Sequence, residues 1–169
     1  MDALFATRLV KIAMVASTAL FASLVAIDNV IDYGTNHEFV RHTLSMDTTN
    51  PGNGLMGRAI TNPTLWTLAY WGIIAAEAAT GIPLAWGAAR LAANLRSPAA
   101  RFNAAKAYVV LGVGLGFLLW FTGFMVVGGE WFAMWQSKTW NGVQPAFRFC
   151  AILMLVLIFV NQPDGELDR

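Results

Sequence analysis

The sequence predicts an all-α membrane protein: an antiparallel bundle of four transmembrane helices with a structured outer cap formed by the first and third connections. Three observations carry this expectation. The 169 residues are 57% hydrophobic and only 12% charged, too apolar for an ordinary soluble domain. Four apolar stretches reach the roughly 20 residues that a hydrocarbon core about 30 Å thick requires. Lys and Arg are also spread unevenly over the connections between those stretches, as the orientation rule for membrane proteins demands. No soluble domain fits between the spans, so residues 1–169 read as one integral membrane domain.

The first span is expected over about 9–31. Its apolar run is longer than the core of a secretory leader and lacks a small-residue cleavage end, so it is expected to remain in place. Asp28 and Asp32 stand at i and i+4 near its outer end, on one helical face, where two carboxylates repel. With cationic side chains on the same side, a structural network of Asp28, Asp32, Asp47, Arg58 and Arg148 is the preferred account, and a bound cation such as Ca²⁺ the alternative.

The first connection contains NHEFVRHTLSMDTTN, with both histidines of the chain. HEFVRH approaches the zinc-protease string HExxH but misses its spacing. His37 and His42 are five apart, so on a helix they diverge by roughly 140° and cannot grip one ion from the same side. The segment is therefore expected to be polar, hydrogen-bonded structure with no metal.

The second span, about 65–89, carries Glu77 at mid-depth. An acid there marks either a proton or cation pathway or an interhelical clamp. The clamp, meeting Ser17, Thr18, Trp120 or Thr122, is preferred, because a relay needs a chain of polar groups. The third span, about 107–128, places Gly112 and Gly116 at GxxxG spacing for close helix packing, with Ala19, Ala22, Ser23 and Ala26 of the first span as the matching surface. The fourth, about 143–160, carries Arg148 near its start and Cys150, the single cysteine, which rules out an internal disulfide and reads as a buried thiol.

Orientation follows from counting cations. One side holds Arg8, Lys11, Arg90, Arg96, Arg101, Lys106 and Arg169, and the other Arg41, Arg58, Lys138 and Arg148. The richer side, with both termini, is expected in the cytoplasm. Trp66, Trp71, Trp131, Trp135 and Trp140 lie at the opposite end, as an interfacial belt would. Net charge is +1, which gives no nucleic-acid surface. Both histidines lie outside the spans, so no transmembrane haem is expected. No Ser-His-Asp arrangement is arguable either. The chain is expected to be no enzyme and to carry no cofactor.

DYGTNHEFVRHTLSMDTT, then GRAI, then a mid-span Glu, then GGEWFAMWQSKTWNGVQPAFR resemble motifs of the bacterial "predicted small integral membrane protein" family. The likeness covers nearly the whole chain. It implies a four-helix inner-membrane protein and no known activity. The positions matching its motifs are Asp32, Asn36, Phe39, His42, Ser45, Met46, Asp47, Thr48, Thr49, Arg58, Glu77, Trp131, Trp135, Gln136, Trp140, Asn141 and Arg148. Gly57 departs from the pattern, which has a Trp before the Arg.

Both long motifs fall in the outer connections, which meet over one end of an antiparallel bundle. Phe39, His42, Met46, Trp131, Trp135 and Trp140 are of the kinds that anchor protein interfaces and are expected to form a partner-binding surface. The reading is a non-catalytic accessory or assembly subunit of a larger respiratory or photosynthetic membrane complex. Its partners are the bilayer and other integral membrane subunits, with a homo-oligomer left open. The alternative is a small transporter or channel using Glu77 and the Asp28/Asp32 pair. For topology, cysteines replacing Ser97 and Ser137 in a Cys150→Ala background are expected to label oppositely with an impermeant maleimide, Ser137→Cys from outside; labelling of Ser97→Cys instead would invert the orientation.

Overall fold

The computed structural model describes residues 3–167; Arg169 of the cation count and the chain ends themselves lie outside them. The described residues contain no strand. Helix α1 (Ala3–Ile31) is followed by a short α2 (Tyr33–Ser45) inside the first connection, then α3 (Pro63–Ala93), α4 (Ala99–Ala105) and α5 (Ala107–Phe117). Helix α5 continues as a π-helical segment (Leu118–Trp131), and α6 (Val143–Asn161) closes the bundle. Four helical stretches, Ala3–Ile31, Pro63–Ala93, Ala99–Trp131 and Val143–Asn161, are long and apolar enough to cross a membrane. The protein is an all-α membrane protein.

Each span buries a stripe at helical spacing. In α1 the stripe is Arg8, Lys11, Val15, Thr18/Ala19, Ala22 and Ala26. In α3 it is Tyr70, Ile74, Glu77, Thr80/Gly81, Leu84, Gly87/Ala88 and Leu91. The outward faces carry residues such as Leu20, Ile31, Ile82 and Leu155 in the open, as lipid-facing surfaces do. Helix α3 is the hub. A Cβ on its Gly81 would lie 3.2 Å from the Ser23 nitrogen of α1. Gly112 leaves room for Leu84, and Gly116 for Thr80 and for Leu153 of α6. The glycines of the third span therefore face α3 and α6, not the small residues of α1, which pack on Gly81 instead. The original pairing failed because small residues line several faces here, and α3 supplies its own.

From Leu118 onward the helix widens to i→i+5 pairing, and its last such bond runs from the Phe132 N–H to the Val127 carbonyl at 3.0 Å. Trp120, Phe124 and Gly128 thus come to one side, four residues apart, a wider step than the three-to-four alternation of an α-helical stripe. Trp120 is the central core side chain, 2% exposed, tilted against Phe21 and edge-on to Phe149.

The end of the bundle that holds Arg8 and Lys11 is closed by a strap that the sequence does not announce. After α6 the tail turns back, and the buried Asp164 carboxylate receives Lys11 at 2.7 Å and Lys106 at 2.5 Å. Both ammonium groups also donate to the Gln162 carbonyl. Arg8, fully buried, donates to the carbonyls of Leu95, Ser97 and Gly165 and lies 4.6 Å from the Phe102 ring centre. The start of the chain, the second connection and the tail therefore share one end. Three cations counted only for orientation are structural.

Burial alone would raise the Asp164 carboxyl, but the hydrogen bonds from Lys106 and Lys11 outweigh it and hold it below the usual carboxylate range. A carboxyl depressed by folding contributes stability above its unfolded pKa and loses it as pH falls through the folded value. Thermal unfolding in detergent should therefore be insensitive to this group near neutrality, with stability falling below about pH 4. Asp164→Asn should already be destabilised at pH 7 by roughly 3–5 kcal/mol, since it leaves two buried ammonium groups unanswered. A variant as stable as the wild type at pH 7 would remove the strap from this account.

Candidate functional site

The two long motifs meet at the end of the bundle opposite the strap. Thr48 Oγ1 donates to Ser137 Oγ at 2.9 Å, and the Asn50 N–H to Gln136 Oε1 at 3.1 Å. Met46, Phe132 and Ala133 pack as a small core between the connections. Met46 and Ala133 both adopt positive φ, 55° and 51°, a conformation uncommon without glycine. Ser137 is itself buried, so the exposed Thr139 is the better position for the outer label.

Helix α2 separates the histidines as their spacing requires. His37 Nε2 lies 3.3 Å from Thr67 Oγ1, and its ring stacks on Tyr33. His42 turns to the other connection, stacked on Trp140 at 4.7 Å with Nδ1 2.7 Å from Asp47 Oδ1. Arg41 stands 2.6 Å from its Nε2, so in the neutral ring Nε2 accepts and Nδ1 donates to Asp47. Among the described residues no three His, Cys, Asp or Glu side chains gather into a metal-holding group.

The network expected among Asp28, Asp32, Asp47, Arg58 and Arg148 does not form. The ion pairs of the described cap are Arg41–Glu38, Arg41–Asp47 and the His42 contacts with Asp47 and Glu38. Asp28 lies two residues beyond Ala26 in the buried stripe, about 200° around the helix; Asp28, Asp32 and Arg148 are all exposed. Arg58 instead lies 4.5 Å over the Trp131 ring and donates to its carbonyl at 3.1 Å. Trp131 thus supplies an aromatic partner to the Arg that Gly57 precedes, and the Gly57 position is open.

Of the six residues expected to face a partner, Met46 is 1% exposed and belongs to the cap's core. Phe39 packs against Phe124 and Trp140, and His42 against Trp140, so those three are partly spent inside the cap. Trp131 and Trp135 are half exposed, 53% and 54%.

Below the cap, Glu77 is 2% exposed. Its clamp is Asn29 of α1, which was not among the expected partners: Asn29 Nδ2 donates to both carboxylate oxygens, at 2.9 and 2.7 Å. Tyr70, seven residues before Glu77 on the same stripe, donates to the Asn29 carbonyl at 2.7 Å and fixes that residue. None of the ion pairs among the described residues includes Glu77. The carboxylate borders a cavity of about 250 Å³. Amides of Asn29, Asn36 and Asn141 line it, and so do the rings of Phe39, Tyr70, Trp120, Phe124 and Phe149. Asn29 was legible: it falls three residues after Ala26, on the buried stripe of α1.

A carboxylate with one amide donor in a cavity of aromatic faces is unfinished as an ion pair. A carboxylate and aromatic rings are both groups that interact favourably with a cation.

Searches of curated proteins and of solved structures find no match. A comparison with protein families matches residues 7–163 to the family described as "predicted small integral membrane protein". That match spans all four membrane helices, both outer motifs, Glu77 and Asp28/Asp32, and on it the chain belongs to this family of small integral membrane proteins of unknown function.

Proposed function

We propose that this protein binds a small organic ammonium ion from the outer side of the bacterial inner membrane, with Glu77 as the counter-ion, as the binding step of a receptor or carrier and without catalysis. The Lys and Arg count supports putting the strap end in the cytoplasm on this reading. One observation supports the reading most: a buried carboxylate held by an amide and no cation, facing a cavity walled by five aromatic rings. An ionised acid at that depth is costly without a partner, and aromatic faces reward an ammonium group that has left water.

A second reading, the accessory subunit docked to other integral membrane proteins, is favoured by Trp131 and Trp135, which a rigid cap holds half exposed. On that reading Glu77 serves the α1–α3 contact alone, and the two part at a single substitution.

Glu77→Gln keeps the shape and can still pair with the Asn29 amide, but removes the charge. Isothermal titration of the detergent-purified protein with tetramethylammonium and with ethylammonium should show saturable binding of at least one. Glu77→Gln should weaken it roughly 30-fold or more, the scale of a lost buried charge pair. Absence of binding by a folded wild type, or equal binding by the variant, would leave Glu77 as a clamp and favour the docking subunit.

A further inference from the structure

Among the described residues, the strap end of the bundle carries more cations than acids. Arg8, Lys11, Arg90, Arg96, Arg101 and Lys106 stand there against Asp164 and Glu166 among the described residues. Arg8, Lys11 and Lys106 are buried and answered by carbonyls and Asp164. Glu166 accepts from the Ala99 N–H at 3.0 Å. The two remaining exposed arginines that share one hollow are Arg90, in the last turn of α3, and Arg101, on α4. They line a cleft of about 450 Å³ together with Asn94 and Tyr108. Neither has an acidic partner among the ion pairs of the described residues.

From this cleft we infer a binding site for the phosphate of an anionic membrane lipid. The two guanidinium groups supply planar, forked donors suited to phosphate oxygens. The depth is also right. Tyr108, at the cleft wall, meets Trp86 edge-on with ring centres 6.4 Å apart, and Trp86 is half exposed on the lipid-facing side. Such a pair marks the boundary between headgroups and acyl chains. A headgroup phosphate in the cleft thus lies beside the aromatic pair, with its chains free to run along the outward faces of α3 and α5. Basic clefts between membrane helices are a recurrent form of lipid-headgroup site. The inference is independent of the Glu77 cavity, which lies toward the opposite end.

The test is lipid preference in delipidated, detergent-purified protein, read by native mass spectrometry with phosphatidylglycerol against phosphatidylcholine. The wild type should retain phosphatidylglycerol with a preference of roughly 30-fold, two arginines at the scale of one membrane-surface cation each. Arg90→Gln/Arg101→Gln, changed only at exposed positions, should fold and lose that preference. Arg96→Gln, an exposed inner cation outside the cleft, should keep it. Inorganic phosphate at millimolar concentration should not displace the lipid. The inference is overturned by equal retention of the two lipids, by a double variant that keeps the preference, by an equal loss in Arg96→Gln, which would make the effect general charge, or by displacement with free phosphate, which would make the cleft a soluble-anion site.

Discussion

In hydrocarbon an unanswered polar group costs several kcal/mol, and the buried polar side chains of α1 and α3 lie on the stripes where helices meet. The stripe of α1 runs from Arg8 and Lys11 through small residues to Asn29, and that of α3 from Tyr70 through Glu77 to Leu91. The apolar middle brings the two helices together at Gly81. The polar ends then determine what each end of the bundle does. At the strap end, the buried ammonium groups of Lys11 and Lys106 share a carboxylate from outside the spans, and the buried Arg8 is answered by backbone carbonyls. Toward the cap, one buried carboxylate recruits an amide and no cation.

That asymmetry separates structure from candidate function. Asp164 is shared by two ammonium groups and the surrounding carbonyls, and its contacts pin the tail to α1 and to the α4–α5 junction. Glu77 has a partner that orients it but does not neutralise it. The cap and the widened π-helical segment border the space in front of it, contributing Phe39 from α2 and Trp120 and Phe124 from the π-helical segment. The cap therefore borders the cavity through Phe39, Asn141 and Gly142.

The spans were legible because twenty apolar residues have few other uses, and the meeting of the outer connections followed from antiparallel topology. Helix α2 was not foreseen: its stretch is polar, with Val40 its only buried residue, so periodicity gives little signal. The strap was hidden for a different reason. Lys11 and Lys106 look like ordinary flanking cations, and only the fold brings Asp164 back from 153 positions along the chain. The assumed acid–base network failed because charge sign says nothing of helical face: Arg41, one turn from Glu38, took the role given to Arg58 and Arg148. Asn29, by contrast, could have been found by extending the buried stripe of α1 one more turn.

The charge state of Glu77 decides most between a clamp and a counter-ion. Isotope-edited infrared spectroscopy of the protein in lipid at pH 7, with Glu77→Gln to assign the band, reads it directly. The account predicts an ionised carboxylate whose band shifts when tetramethylammonium or ethylammonium is added. A neutral acid band that neither ammonium ion changes would contradict it and leave Glu77 as a hydrogen-bonded clamp on Asn29.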